Sequence, residues 1–112
     1  MTHEMKLQPV YFNKIRSGEK IYEIRLNDEK RKTIKVGNYI VFKKEPQLVD
    51  QITCKVSDLI IFDSFKTMIE TLPPALVGFE NMSNTEIIDI YHQFYTEADE
   101  KHYGVLAIKV EI

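Results

Sequence analysis

Apolar and polar positions alternate along this chain in two rhythms, one of period two and one near 3.6. Met5 and Leu7 mark a short opening strand. Pro9 then fits the first turn of a helix, where its missing N–H leaves no bond unmade. Tyr11, Phe12 and Ile15 give that helix an apolar stripe, and Gly18 suits a left-handed cap at its end. Ile21 to Leu26 reads as a strand, followed by the charged connection Asn27-Asp28-Glu29-Lys30-Arg31-Lys32. Val36-Gly37-Asn38 turns the chain into a buried strand, Tyr39-Ile40-Val41-Phe42. Ile52, Cys54 and Val56 then alternate with Thr53, Lys55 and Ser57. The alternation breaks near Asp58 and resumes as Leu59-Ile60-Ile61-Phe62, which predicts a bulge.

Helical spacing follows. Ser64 caps a helix whose stripe is Phe65, Met68, Ile69 and Leu72, and Pro73-Pro74 stops it. Ser83 and Glu86 form an S-x-x-E capping box for the next helix, with Ile87, Ile90, Tyr91 and Phe94 along one face. Thr96 to Lys101 reads as an acidic loop. Tyr103 to Ile112 reads as the last strand, sending Leu106, Ile108, Val110 and Ile112 toward a core. The order of elements predicts one α+β domain over residues 1–112: a small, partly closed barrel of five or six mixed strands, with about three flanking helices.

With 44% hydrophobic and 29% charged residues, a chain of 112 can bury a core without covalent staples. No apolar run approaches the roughly 20 residues of a membrane span. The start, Met1-Thr2-His3-Glu4-Met5-Lys6, has no apolar signal region, and Cys54 is the only cysteine, so a reducing, cytoplasmic setting is expected. The net charge of −2 hides an asymmetry: residues 1–44 hold eleven Lys/Arg against five acids, and the rest hold four against twelve. Folded onto one surface, the basic half would follow a phosphate backbone; interleaved with the other half, it would not.

Three chemistries find no support in the residues. His3, His92 and His102 have no metal-ligand spacing, and a zinc deaminase needs more cysteines than one, so no metal is expected. The four glycines are isolated, which leaves no phosphate-cradling loop. Cys54 lies inside an alternating apolar pattern, the setting of a packed thiol rather than a nucleophile. One segment resists a purely structural account. In the strand after Gly18, Glu23 and Arg25 stand side by side on one face, and Lys20 sits at the strand's start. They either line a small cavity together or form the solvated face of an amphipathic strand.

Gly18-x-Lys20-x-x-Glu23-x-Arg25 matches the G-x-K-x-x-E-x-R motif of the ASCH domain family, a branch of the PUA-like fold. The resemblance covers essentially the whole chain: a helix precedes the motif, Lys35-Val36-Gly37-Asn38 opens a strand, and Tyr103-Gly104-Val105-Leu106 leads into the last one. It implies a small PUA-like β-barrel whose motif-lined cleft receives RNA or a nucleobase. Gly18, Lys20, Glu23 and Arg25 would be its binding residues, with no cofactor. In part the chain is also similar to the small bacterial amidohydrolases that remove the acetyl group of N4-acetylcytidine. Those use a lysine, a threonine three residues later and a glutamate before a late helix. Lys20 matches the lysine, and Phe79-Glu80-Asn81-Met82-Ser83 resembles the glutamate's segment, pointing to Glu80. Glu23 stands where the threonine would be.

Two carboxylates, Glu23 and Glu80, against one guanidinium, Arg25, predict that Lys20 stays protonated and acts as a charge clamp. Glu23 can accept from the exocyclic amine of cytosine while Lys20 donates to a ring acceptor. Tyr22 or Tyr39 could offer a stacking surface. A cytoplasmic module that binds RNA or a nucleoside is therefore the first expectation. A second is a metal-independent amidohydrolase of N-acylated pyrimidine nucleosides. There Lys20, Glu23 and Glu80 would be catalytic, a glutamate orienting water and Lys20 stabilising the oxyanion. A third is a protein-interaction domain presenting the acidic second half.

Overall fold

The computed structural model describes residues 1–112. Strand β1 (Thr2–Leu7) leads into helix α1 (Pro9–Ser17), then β2 (Tyr22–Leu26), a 3-10 turn at Arg31–Thr33, β3 (Tyr39–Lys44) and the long β4 (Gln51–Phe62). Helix α2 (Phe65–Thr71), a second 3-10 turn at Pro74–Val77, α3 (Asn84–His92) and α4 (Glu97–Tyr103) precede β5 (Val105–Glu111). Pro9 opens α1 as its fixed φ allows. Gly18 closes it at φ 85°, donating its N–H to Ile15 O.

The five strands form one mixed sheet in the order β1-β3-β4-β5-β2. Only the β1–β3 pair is parallel. The sheet curls into a half-barrel, so the fold is α+β. Its two edges meet across the opening, where Arg25 Nη2 on β2 donates to Lys6 O on β1 over 3.1 Å. The break in alternation at Asp58 is a register slip between Val56 and Asp58 inside one continuous strand.

Period-two alternation divides the apolar residues between two cores. Leu106, Ile108 and Val110 of β5 join Met5, Phe12, Ile40, Phe42 and Val56 on the face covered by α1. Val105 and Ala107 turn the other way, onto Tyr22, Phe65, Met68 and Ile87 beneath α2 and α3. β5 is thus apolar on both faces, as a central strand between two packed layers must be. Ile112, expected in the core, lies beyond the strand's end and is 77% exposed. No helix is long and apolar enough to cross a membrane.

The expected acidic loop is a fourth helix, α4. Thr96 caps it by accepting from Asp99 N, its acids sit in the first turn, and Lys101 and His102 sit in the last. That arrangement complements the helix dipole at both ends. Glu100 is its buried anchor: one carboxylate oxygen accepts from Phe65 N over 2.7 Å, and the other lies 2.7 Å from His92 Nε2.

Cys54 is buried opposite Ile40, and burial pushes its thiol up to about 11. The native protein at pH 8 is expected to react with a thiol reagent only as fast as it unfolds, with full reaction in denaturant. Rapid labelling of folded protein would show that the barrel interior opens locally.

Candidate functional site

β2 is an edge strand, and its alternation decides where the motif's charges go. Antiparallel pairing sets Glu23 against Ile108 and Arg25 against Leu106, so both side chains lie on the barrel-interior face. Lys20 stands just before the strand, after the Gly18 cap, with its N–H donated to Lys14 O over 3.0 Å. Its side chain runs inward past Gly78, where a Cβ would lie only 3.0 Å from Lys20 Cδ and 3.2 Å from Tyr11 Cδ1.

The three charges form a chain with Glu23 at its centre. Glu23 Oε1 is 3.1 Å from Lys20 Nζ, and Oε2 accepts from Arg25 Nε over 2.7 Å. Lys20 Nζ also donates to Tyr22 O over 2.6 Å and to Val77 O over 3.1 Å. An ammonium has three protons, and here each meets an acceptor. Lys20 is therefore fully engaged within the fold. Glu23 keeps one lone-pair direction on each oxygen. Arg25 keeps three of its five N–H groups after its bonds to Glu23 and Lys6 O, and its side chain is 18% exposed.

Beside this chain a cavity of about 360 Å³ opens in the seam between the two edge strands. Lys6 and Leu7 at the end of β1 and Gln8 just after it line it, with Lys20 before β2 and Glu23, Ile24 and Arg25 within it. Tyr11, Phe79, Tyr91, Phe94 and Tyr95 make its aromatic walls. The volume is that of a small-molecule site, largely apolar with a few convergent polar groups.

A family model described as the ASCH domain matches residues 5–112. The chain belongs to the ASCH domain family. The hypothetical protein PH0355, known from its crystal structure, is 40% identical over 99% of this chain and 98% of its own, with a TM-score of 0.87. Protein PF0455 from Pyrococcus furiosus is 36% identical over 99% of this chain and 96% of its own, at 0.79. The ASCH protein of Zymomonas mobilis shares the fold at a TM-score of 0.66 with 14% identity, over 97% of this chain and 66% of its own. No curated protein matches the sequence.

In this ASCH domain the charges of the motif stabilise one another. Burial alone would raise the Glu23 carboxyl, but Lys20 and Arg25 overcome it and hold it below the usual carboxylate range. Burial draws Lys20 below the usual lysine range, against the pull of Glu23. Its three acceptors, two carbonyls and a carboxylate, still require the protonated form, because none of them can donate to a neutral amine. Burial also raises the hydroxyls of Tyr11 and Tyr91, and the negative Glu23 nearby adds to it.

Lys20, Glu23 and Arg25 converge on the cavity. Gly18 does not line it; it ends α1 on the surface so that the chain can reverse into β2. Glu80 does not reach it either: its side chain is exposed, while its neighbour Phe79 is buried and forms part of the wall. Tyr22 faces the core beneath α2 and α3, and Tyr39 lies outside the cavity at the start of β3, so neither can stack on a ligand there. The aromatic walls come instead from α1, from Phe79 and from the end of α3 with the turn after it. The i, i+3, i+4, i+7 stripe that reads as pure core in the sequence serves two purposes. Ile87 is fully buried, whereas Ile90, Tyr91 and Phe94 border the cavity.

Proposed function

We propose that this ASCH domain binds a nucleobase, free or carried in single-stranded RNA, in the cavity beside Glu23 and Arg25. The observation that carries the reading is the free valence of that pair. An ionised carboxylate and a guanidinium, locked together at 2.7 Å, offer an acceptor next to donors at the edge of an aromatic-walled slot. Every base carries a donor next to an acceptor on its pairing edge; in cytosine these are the N4 amine and N3. Flat aromatic walls accommodate the faces of such a ring. Lys20 then serves the site from beneath, by fixing Glu23, rather than by donating to the ligand.

The basic first half of the chain supports the same reading. Lys6 lines the cavity, and Arg16 of α1 and Lys44 of β3 both lie over the Phe12 ring. If two or three phosphates meet such groups, affinity for a short RNA should fall roughly 10-fold between 50 and 200 mM salt. A flat salt dependence would restrict the ligand to a nucleoside held by the cavity alone.

The deciding experiment is isothermal titration with the four ribonucleosides and with Glu23→Gln as the control. Saturable binding of at least one nucleoside, weakened about tenfold or more in the variant, is the expected result. No binding by any nucleoside or by a short RNA would overturn the reading. N4-acetylcytidine belongs in the same series. A general-base lysine must give up a proton, and the protons of Lys20 are all held, so acetate release at the uncatalysed rate is expected. Release above that background would make the domain an amidohydrolase.

A further inference from the structure

Phe94 is the one aromatic of the cavity that the fold leaves uncovered. It is 61% exposed, whereas Tyr91 and Phe79 in the same lining are buried. Its backbone is not loose. Phe94 N–H donates to Tyr91 O over 3.0 Å, and Tyr95 N–H donates to the same oxygen over 2.9 Å, so the turn that follows α3 is fixed. An exposed phenyl ring forgoes the free energy of burial, and single exposed apolar residues are common enough to need no function. Phe94 differs because it sits at the mouth of a cavity in which Lys6, Glu23 and Arg25 have unused capacity.

Two of those groups are cationic. Lys6 takes part in no ion pair, in contrast to Lys43 beside it on β3, which lies 2.8 Å from Glu4. Arg25 keeps three N–H groups. Glu45 is the one acid that lines the cavity besides Glu23. An aromatic face together with cationic groups that keep free N–H donors is the combination that single-stranded nucleic acids select: bases stack on the ring, and phosphates meet the donors. An apolar peptide segment would find an aromatic anchor here, but would have to desolvate Lys6, which has no ion-pair partner, and the N–H groups that Arg25 keeps beyond its pair with Glu23, with nothing to accept from them.

We propose that Phe94 is a stacking platform for a second base, adjacent to the one in the cavity, and that Lys6 and Arg25 meet the phosphate linking the two. The ligand is then at least a dinucleotide. This rests on the nucleobase reading of the cavity and extends it from a pocket to a strand-binding path.

The test compares the tightest-binding nucleoside with a homopolymeric RNA hexamer of the same base, by titration calorimetry. Wild type, Phe94→Ala, Phe94→Leu, Phe94→Trp and Lys6→Ala are measured, each with a thermal melt to confirm folding. The quantity read is the ratio of hexamer to nucleoside affinity. Removing one stacked base costs roughly 5- to 100-fold, so the ratio should fall by that much in Phe94→Ala. Phe94→Leu should behave like the alanine variant, because it keeps an apolar side chain without a ring face. Phe94→Trp should keep the ratio or raise it. Lys6→Ala should lower the ratio and flatten its salt dependence. A ratio that is unchanged in Phe94→Ala and Phe94→Leu overturns the proposal. So does full retention in the leucine variant, which would mark Phe94 as an apolar contact for a protein. Failure of wild type to bind either ligand would overturn the underlying reading instead, and is distinguished by appearing before any substitution is made.

Discussion

Glu23→Ala should cost the protein about 3–5 kcal/mol of stability at pH 7, the expected penalty for removing one partner of a buried ion pair. Glu23 is the only negative member of the chain, and Lys20 is 4% exposed, so its ammonium would be left without a counter-charge. For a domain of this size, that loss lowers the melting temperature by roughly 10 °C or more. The pH dependence makes the prediction specific. The folded Glu23 carboxyl lies below its unfolded value, so its contribution is complete above the ordinary carboxylate range and is lost as pH falls through the folded value. The variant should lack that acid-side loss. With the carboxylate gone, burial should depress Lys20 further. A lysine whose folded pKa lies below its unfolded one binds more protons when unfolded, so the variant should gain stability as pH rises above neutrality. Adding Lys20→Met to Glu23→Ala should recover part of the loss, although not all, because Tyr22 O and Val77 O lose their donor. Urea denaturation of the single and double variants across pH measures all of this. A loss below about 1 kcal/mol, typical of surface pairs, would mean that water reaches the charges freely.

Gly78→Ala is the second large effect, and it acts on the same lysine from the far side. Gly78 has φ 104°, outside the range comfortable for residues with a Cβ, which by itself costs about 1–3 kcal/mol. The new methyl would also meet Lys20 Cδ at 3.0 Å and Tyr11 Cδ1 at 3.2 Å. The lysine stem cannot swing aside, because its head is held by three acceptors. Gly37 supplies the control. It too has positive φ, 92°, but nothing lies within 4 Å of its missing Cβ. Gly78→Ala should therefore destabilise more than Gly37→Ala, and should weaken nucleoside binding, which Gly37→Ala should leave alone. Equal losses in the two variants would show that Lys20 yields without cost and that Gly78 does not position it.

Most of the fold could be read locally. Strand β3 follows from its apolar run after the Gly37-Asn38 turn, and β4 and β5 from period-two alternation. Helices α1, α2 and α3 follow from their stripes and from Pro9, Ser64 and the Ser83–Glu86 box. Helix α4 carries an equally local cap, Thr96 accepting from Asp99 N, but its sequence has no apolar stripe to draw attention to it. It holds to the domain through a charged residue, Glu100, whose partner Phe65 N is 35 positions away. Hydrophobic periodicity is blind to an anchor of that kind. The motif was legible as three charges near one strand; its connectivity was not.

What the sequence determined by itself is the set of elements apart from α4, the shared face of β2 that carries Glu23 and Arg25, and the placing of Lys20 just after a helix-ending glycine. All of these rest on steric and hydrogen-bonding preferences between residues a few positions apart. What only the tertiary structure decided is which groups meet there. β1 and β2 become the two edges of the sheet and face each other across its opening, so Lys6 O receives Arg25. Val77 O, 57 positions from Lys20, takes one of the lysine's protons and turns a candidate ligand donor into a support for Glu23. The end of α3 brings Tyr91, Phe94 and Tyr95 to the seam, while Glu80 stays outside it. These outcomes depend on strand order and on how two apolar cores close against one sheet. Burial drives that closure without direction or regard for sequence distance, so no local pattern in the chain encodes it.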